Sequence, residues 1–308
     1  MLILILAIVL LILFLLWCLL LRPRRGQPGW EPFARARFAH RGLHDLAAAA
    51  PENSLAAFRR AAERGLGAEL DVHLLADGAL AVVHDSSLRR VCGIDREVED
   101  LRAEDLKNYR LQGTEETIPL LEEVLEIFAG GPPLIIELKE ARGNAAALTD
   151  GVMARLRDWR GTCCIESFHP AVLLHLKRRY PDVLRGQLSQ DFLRHREGGL
   201  PWIAWAVMTH LLTTAFTRPD FIAYRWEDRG NVSLRLMRRL YHVHEAAWTV
   251  RDREALRRLE GEGASASSRA SSPEDGALEN SPLCFLQKCD KVLKGVGSAP
   301  VMSPPRCL

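Results

Sequence analysis

The sequence predicts an α/β barrel of the TIM type that follows a single N-terminal transmembrane helix. Three observations predict this arrangement: an uninterrupted apolar run at the N terminus, a regular alternation of strand-like and helix-like segments, and acidic side chains two residues apart within apolar strands. A chain of 308 residues that is 48% hydrophobic can bury a full core. Its 41 basic and 39 acidic side chains nearly cancel, so the bulk positive field of nucleic-acid binders is missing and we expect no nucleic-acid partner.

Residues 1–21 are the transmembrane candidate. They contain no charged side chain, glycine or proline, and as a helix they would span about 30 Å, the thickness of one hydrocarbon core. A cleaved signal peptide is the alternative, but this run lacks the basic start, the shorter apolar core and the small-residue cleavage site of such peptides. Arg22, Arg24 and Arg25 follow the helix. The positive-inside rule therefore predicts a single-pass membrane protein whose globular domain is cytoplasmic.

Strand-like and helix-like segments alternate through the rest of the chain. We predict a juxtamembrane linker over 22–35, a barrel domain over 36–262 and a low-complexity, disordered tail over 263–308. Near-continuous apolar strands between amphipathic helices indicate a parallel sheet covered on its outside, and seven such units predict a barrel that lacks only its last strand. The predicted strands cover 37–40, 68–74, 134–139, 163–168, 183–189, 220–226 and 245–250. The predicted helices cover 54–64, 120–128, 145–157, 171–179, 203–216 and 233–240.

The seven cysteines form neither a CxxC motif nor a His/Cys zinc spacing. Cys18 falls in the transmembrane candidate, and Cys163 and Cys164 fall in an apolar strand. We therefore expect buried structural thiols in a reducing compartment, which agrees with the predicted orientation of the domain.

One predicted strand carries three polar side chains on a single face. Because side chains two apart in a strand share a face, Glu69, Asp71 and His73 point one way, while the apolar residues between them point the other way. A solvated edge strand would also show this pattern, but the neighbouring positions are apolar. Two close buried carboxylates repel each other unless a cation or a proton neutralises them. Mg²⁺ or Ca²⁺, which prefer oxygen ligands, would do so.

A second predicted strand also carries charged side chains on one face. Glu137 and Lys139 share a face at the end of an apolar run, where a TIM barrel has its catalytic mouth. The alternative is a structural ion pair that caps the strand. In the functional interpretation, Glu137 completes a metal site and Lys139 offsets phosphate charge.

Two histidines are expected to reach the same region. His40 and Arg41 end the first strand, and the Asp77–Gly78 turn folds the next residues back so that His84 returns towards the carboxylates. A lone histidine is most often a packed or surface residue. Two histidines beside three carboxylates and two cations favour acid/base chemistry.

These segments together resemble the glycerophosphodiester phosphodiesterase family. The motifs that carry the resemblance are HRG (40–42), PENS (51–54), ELDV (69–72) with DG (77–78), VVHD (82–85), IELK (136–139), ESF (166–168) and WTV (248–250). Each motif alone is weak, but seven in the family's order and spacing are specific, and the resemblance covers about residues 36–258.

The resemblance implies a TIM barrel of the PLC-like phosphodiesterase type, which cleaves a glycerophosphodiester to glycerol phosphate and an alcohol. It implies a divalent metal, Mg²⁺ or Ca²⁺, at Glu69, Asp71 and Glu137, an acid/base pair of His40 and His84, and substrate binding by Arg41, Lys139, Glu52 and Trp248. Glu52 could instead begin the helix opened by Ser54. Alternatives to this function are a lysophospholipase D acting on lysolipids of the anchoring membrane, and a non-catalytic membrane-tethered remnant.

The chain departs from the family pattern after the WTV strand. Where the family has its eighth strand, this chain has a turn-rich, low-complexity stretch, and the only apolar strand candidate in the tail is LCFLQKC. Either this segment supplies a degenerate strand, or the C terminus reflects a frameshift or an alternative end. The abrupt change in composition favours the second explanation, and an open barrel would expose two unpaired edges.

Overall fold

A computed structural model describes residues 1–26, 29–34, 36–196 and 199–250, and the backbone of 283–287. The strands are β1 (Phe38–His40), β2 (Gly67–Leu74), β3 (Leu80–Val82), β4 (Leu134–Leu138), β5 (Cys163–Ser167), β6 (Arg185–Ser189), β7 (Phe221–Arg225), β8 (His244–Val250) and β9 (Leu283–Gln287). In this part of the chain, eight strands form a closed barrel, and one additional strand, β3, pairs with β2 as a hairpin outside the ring.

Helices surround this barrel and fill the connections between its strands. They are α1 (Leu2–Leu20), α2 (Glu31–Ala34), α3 (Leu55–Glu63), α4 (Arg89–Cys92), α5 (Leu121–Ile127), α6 (Ala145–Leu156), α7 (Pro170–Arg179), α8 (Phe192–His195), α9 (Trp202–Thr209), α10 (Thr214–Thr217) and α11 (Val232–Tyr241). Short 3₁₀ turns cover Leu46–Ala48, Val98–Asp100, Ala103–Asn108 and Trp226–Asp228.

All seven predicted strands are present, and they form seven parallel members of the ring: β1, β2, β4, β5, β6, β7 and β8. The predicted turn at Asp77–Gly78 joins β2 to the antiparallel β3. This confirms the TIM-type barrel, because parallel strands with intervening helices bury both faces of the sheet.

The predicted helix over 203–216 is wrong in one respect, because the chain forms two helices there. Helix α9 ends at Thr209 and α10 begins at Thr214, and between them Leu211 has a left-handed φ of 57°. A non-glycine residue in this conformation ends a right-handed helix. The continuous apolar pattern of the segment gave no sign of this break.

The parallel eighth strand of the family is absent from the described residues, and β9 from the tail occupies its position. Its backbone pairs antiparallel with both β1 and β8 and so joins the two edges that seven strands would leave open. The ring is thereby closed, which removes exposed edge hydrogen-bonding groups. The rest of the predicted disordered tail over 263–308 lies outside the described residues.

The amino ends of the strands are sealed by aromatic side chains from the segment that precedes β1. Trp30 stacks on His244 with ring centres 4.6 Å apart and lies 5.1 Å from Phe221, and Phe33 stacks on Phe38. Both Trp30 and Phe33 are buried. The predicted linker boundary stays a prediction, but these residues pack as part of the barrel core. The opposite, carboxyl end of the barrel is left for function.

Helix α1 projects from the barrel. It is 19 residues long, its mean hydropathy is 3.5, and none of the apolar window is buried. Only its last turn contacts the barrel: Leu21 is fully buried, Tyr241 donates a hydrogen bond from its hydroxyl to the Cys18 carbonyl at 2.6 Å, and Thr214 donates from its hydroxyl to the Leu20 carbonyl at 3.0 Å. The chain thus has one N-terminal apolar helix whose C-terminal end is fixed to the folded domain.

Candidate active site

Strand register brings five titratable side chains together inside the barrel. His40, the last residue of β1, is in register with Glu69 of β2. Asp71 of β2 is in register with Glu137 of β4, which is in register with Glu166 of β5. Residues in register on neighbouring strands point to the same side of the sheet. The alternation predicted from ELDV therefore places both acids of β2 on the functional face.

The three predicted metal ligands meet in one buried cluster. Glu69, Asp71 and Glu137 each offer a carboxylate oxygen, and these oxygens lie within 4.8 Å of one another. All three side chains are buried, with residue exposures of 2%, 1% and 6%. An all-oxygen, triply anionic and water-poor set fits a hard divalent cation such as Mg²⁺ or Ca²⁺, and the same charges without a cation would repel strongly.

Two cations and one amide already contact this cluster. The Lys139 ammonium lies 2.9 Å from Asp71 and 2.7 Å from Glu137. The Arg41 Nε atom lies 3.5 Å from Asp71, and Asn53 donates an amide hydrogen bond to the same carboxylate at 2.8 Å. Burial works to raise the pKa of Asp71, but Lys139 and the other neighbours outweigh it and hold that pKa well below its usual range.

The other carboxyls of the cluster shift in the opposite direction. Burial, together with the charges of Asp71 and Glu137, raises the pKa of Glu69 well above its usual value. Burial also raises the pKa of Glu166 well above normal, and Glu137 adds to the shift. Raised values mean that these carboxyls resist ionisation until a cation compensates them. A divalent cation that bound here would therefore displace protons from these carboxyls.

His40 sits beside this cluster with its Nε2 atom 3.9 Å from a Glu69 oxygen. The backbone N–H of Arg41 donates to the same carboxylate at 3.0 Å, which fixes the end of β1 over the site. Burial and the neighbouring Arg41 charge lower the pKa of His40 well below its ordinary value. At neutral pH the imidazole is consequently neutral and able to accept a proton.

His84 is held by two contacts, one at its ring and one at its backbone carbonyl. Its Nδ1 atom lies 2.6 Å from an Asp85 oxygen, and its carbonyl oxygen lies 3.2 Å from the Nε2 atom of His73. The other ring nitrogen of His73 contacts Glu99 at 2.7 Å. His73, which shares a face with the metal ligands, is therefore a buried support for the His84 backbone. The Asp85 contact leaves the Nε2 atom of His84 available for substrate.

A chain of ion pairs links His84 to Arg41. Asp85 contacts the Arg90 Nε atom at 2.5 Å, Arg90 contacts Glu52 at 2.6 Å, and Glu52 contacts the Arg41 guanidinium at 2.9 Å. Hydrogen bonding to His84 and Arg90 holds the pKa of Asp85 far below its usual range. Glu52 thus orients Arg41, while Ser54 separately caps α3 by accepting from the Ala57 N–H.

A cavity of about 380 Å³ opens beside these residues. Its polar wall includes His84, Glu137 and Lys139, and its apolar wall includes Phe168, Leu200, Met208 and Pro170. Trp248 does not line this cavity, but its ring packs edge-on against Phe168 with centres 5.6 Å apart. The predicted substrate-binding tryptophan therefore contacts one residue of the apolar wall, and its role in binding stays a prediction.

The three carboxylates predicted from the sequence lie together in the structure, but several neighbouring polar side chains were not predicted. Asn53, Asp85 and Glu166 all lie within motifs quoted above, so their position in PENS, VVHD and ESF was an available signal. Arg90 carried no such signal, because its two partners are 5 and 38 residues away in the chain.

The site belongs to the class of enzymes that cleave phosphate esters. Such reactions need little covalent chemistry from the protein, and they depend on positioning, cations against the phosphoryl oxygens and groups that move two protons. This site has the side chains that such a reaction needs: a carboxylate cluster able to hold a divalent cation, two cationic side chains and two histidines.

Comparison with known proteins gives the family. The sequence profile of the glycerophosphoryl diester phosphodiesterase family matches residues 40–266, so the chain belongs to this family. A glycerophosphodiester phosphodiesterase of Bacillus altitudinis is 33% identical over 168 residues, covering 51% of this chain and 67% of that protein. A lysophospholipase D of Rattus norvegicus is 36% identical over 101 residues, which cover 29% of this chain and 32% of the relative.

A solved phosphodiesterase structure has a similar fold. An Oleispira antarctica phosphodiesterase, solved in complex with sn-glycerol-3-phosphate, superposes with a TM-score of 0.62 at 23% identity, and the match covers 77% of this chain and 92% of that one. The chain is accordingly a phosphodiesterase, a hydrolase that acts on glycerophosphodiesters.

Proposed function

We propose that this enzyme hydrolyses glycerophosphodiesters to glycerol phosphate and an alcohol at the cluster of Glu69, Asp71 and Glu137, with His40 and His84 as its acid/base pair. The observation that carries the proposal is the meeting of three buried carboxylates with two histidines and two cations at one end of the barrel. A non-catalytic remnant would have no reason to retain this costly arrangement.

A bound divalent cation would be held by Glu69, Asp71 and Glu137, and it would supply positive charge to the phosphoryl group and lower the pKa of a bound hydroxyl or water. The donor set is entirely oxygen, which suits Mg²⁺ and Ca²⁺ and does not separate them. Arg41 and Lys139 add two permanent positive charges beside these carboxylates. We propose that they also hold the phosphoryl oxygens in line for attack.

The two histidines are proposed to divide the proton transfers. His40 is neutral because its pKa is lowered, so it can remove the proton of the attacking glycerol hydroxyl or water. His84, held at Nδ1 by Asp85, presents its Nε2 atom to the cavity and can protonate the leaving alcohol. Replacing either histidine with alanine should lower kcat by about 10²-fold with little effect on the melting temperature. Near-normal turnover in both variants would refute the assignment of His40 and His84 as the acid/base pair.

A lysophospholipase D is the second candidate function. The apolar wall of the cavity, formed by Phe168, Leu200 and Met208, supports it, because an acyl chain needs such a surface. The partial similarity to a relative named lysophospholipase D also supports it. A substrate panel of glycerophosphocholine, glycerophosphoinositol and lysophosphatidylcholine, assayed with Mg²⁺, Ca²⁺ and a chelator, would separate the two functions.

We also propose that α1 is a retained single-pass anchor and that the barrel is cytoplasmic. The length and hydropathy of α1 support an anchor, and Arg22, Arg24 and Arg25 support the orientation. The hydrogen bonds from the barrel to the last turn of α1 support retention, because cleavage within the helix would remove the partners of Tyr241 and Thr214.

A further inference from the structure

An apolar surface lies next to the catalytic mouth and is not covered by the described part of the chain. We call residues 200–217, which include α9 and α10, the apolar segment. Over these eighteen positions the sequence has no acidic side chain, lysine or arginine. Its large side chains are exposed: Trp202 by 68%, Ile203 by 59%, Phe216 by 69% and Leu200 by 42%. Such a concentration of exposed hydrophobic side chains in one segment indicates a binding surface.

One end of the apolar segment forms part of the catalytic cavity. Leu200, which precedes α9, and Met208, in its last turn, line the cavity that also contains His84 and Lys139. The Met208 carbonyl accepts a hydrogen bond from the Ser189 hydroxyl at the end of β6, which fixes this end of α9 to the barrel. The cavity wall therefore includes a residue just before the first turn of α9 and a residue in its last turn, which places this helix beside the cavity.

The other end of the apolar segment is attached to helix α1. Thr214 donates to the Leu20 carbonyl at 3.0 Å, and the buried Leu211 packs in one cluster with the buried Leu21 and with Trp17. Leu20 is the last residue of α1. Given the length of the intervening chain, Trp202 lies within roughly 30 Å of that helix end.

We propose that the apolar segment lies on the same bilayer that α1 enters, with Trp202 and Ile203 in the interfacial region, so that the catalytic mouth opens towards the membrane. This inference rests on the proposed membrane anchor and on the proposed phosphodiesterase function. The bilayer is the occupant because α1 holds the apolar segment beside it permanently, whereas another protein would have to displace it. Tryptophan and isoleucine on a helix without charged side chains suit the membrane interface.

This arrangement has a consequence for substrate choice. The hydrocarbon chain of a lysophospholipid could leave the bilayer along α9 and pass Leu200 and Met208 to reach the apolar wall. The phosphodiester would then arrive at the polar wall beside Lys139. A water-soluble glycerophosphodiester needs no such route, so the two substrate types should respond differently to changes in the apolar segment.

The position of Trp202 can be measured directly in the full chain reconstituted in phosphatidylcholine vesicles. Brominated acyl chains quench tryptophan within the bilayer, and aqueous iodide quenches tryptophan in water. The fluorescence of Trp202 is obtained as the difference between the unchanged protein and Trp202→Phe, which cancels the contributions of the six other tryptophans, Trp17 in α1 included. We expect this difference signal to be quenched by brominated lipid and protected from iodide. Quenching by iodide but not by brominated lipid would overturn the proposal, as would burial of Trp202 in a dimer.

The kinetic test uses Trp202→Asp and Ile203→Asp, with Ile94→Asp as the matched control. Ile94 is 41% exposed and lies outside the apolar segment, so its change adds the same charge elsewhere. We expect about a tenfold lower rate on lysophosphatidylcholine in vesicles for the first two variants, with unchanged hydrolysis of soluble glycerophosphocholine. The control should match the unchanged protein on both substrates.

Three further outcomes have separate meanings. Equal rates for all variants on vesicle substrate would contradict the docking surface. Equal losses on both substrates, with a lowered melting temperature, would show a structural role for the apolar segment and also contradict it. Failure of the unchanged protein to hydrolyse either substrate would overturn the proposed function, while the quenching experiment would still decide the docking surface independently.

Discussion

The contact between His84 and Asp85 allows a sharp prediction about catalysis. Asp85→Asn keeps the shape of the side chain but removes the negative charge that faces the Nδ1 atom of His84 at 2.6 Å. A hydrogen bond to a charged group contributes about 1.5–3 kcal/mol, and each 1.36 kcal/mol changes a rate about tenfold. Both side chains are about 30% exposed, 31% for His84 and 28% for Asp85, so solvent screening favours the lower part of this range. We therefore expect kcat to fall by about 10- to 40-fold, with KM little changed.

The Asp85 substitution also removes charge from the contact with Arg90, so a single variant does not isolate the histidine. A double-mutant cycle does, because Asp85→Asn should have almost no further effect in a His84→Ala background if the carboxylate acts only through the imidazole. Asp95→Asn is the control, since Asp95 forms a comparable pair with Arg89 at 2.8 Å but is 79% exposed. Steady-state kinetics on glycerophosphocholine measure all five proteins. Additive effects of the two substitutions would refute the proposed orientation of His84 by Asp85.

Three other predictions concern the metal, the membrane and the tail. Because the pKa of Glu69 is raised, this carboxyl keeps a proton to higher pH than an ordinary glutamate, and binding a divalent cation must release it. Calorimetry should therefore show proton release when Mg²⁺ or Ca²⁺ binds, and the metal affinity should rise with pH. Asp71→Asn should weaken metal binding by roughly 10²-fold. Metal binding that is independent of pH and releases no proton would contradict the predicted protonation of Glu69. Arg22, Arg24 and Arg25 predict a cytoplasmic barrel, so protease added to intact cells should leave it undigested. The membrane anchor predicts that high salt does not release the protein from membranes. Digestion from outside would show that the barrel lies on the opposite side of the membrane. Ending the chain at residue 262 removes the pairs that β9 makes, two with β1 and four with β8. At about 0.5–1.5 kcal/mol each, the free energy of unfolding should fall by roughly 3–9 kcal/mol in denaturant titrations. An unchanged midpoint would mean that β9 does not close the barrel.

The cluster of three carboxylates could be predicted from the sequence because it depends on local periodicity. Alternation within β2 placed Glu69 and Asp71 on one face, and the apolar run before Glu137 placed it near a strand end. Parallel strands in a barrel then bring such positions into register without further information. The same reasoning returned His84 to the site through the turn at residues 77–78.

Features that depend on contacts between distant segments could not be predicted in this way. The partners of Arg90 are set by the packing of α4 against the PENS loop, which no periodicity encodes. The break at Leu211 is a local backbone conformation within an apolar run, and the attachment of α1 through Thr214 joins residues 194 apart in the chain. The antiparallel β9 forms in LCFLQKC, the one strand candidate of the tail, so the preference for a C terminus without a closing strand was wrong. The abrupt change in composition hid this strand, because its pairing with β1 and β8 is set by distant segments.

The most direct test of the account is product analysis by ³¹P NMR with the full chain in detergent micelles. Glycerophosphocholine is supplied with Mg²⁺ or Ca²⁺, with a chelator, or with metal and the Asp71→Asn variant. We expect glycerol phosphate to appear only when metal is present, and the Asp71→Asn variant to form it far more slowly. Glycerol phosphate formed at the full rate in chelator, or phosphocholine formed in its place, would contradict metal-dependent cleavage at the cluster of Glu69, Asp71 and Glu137.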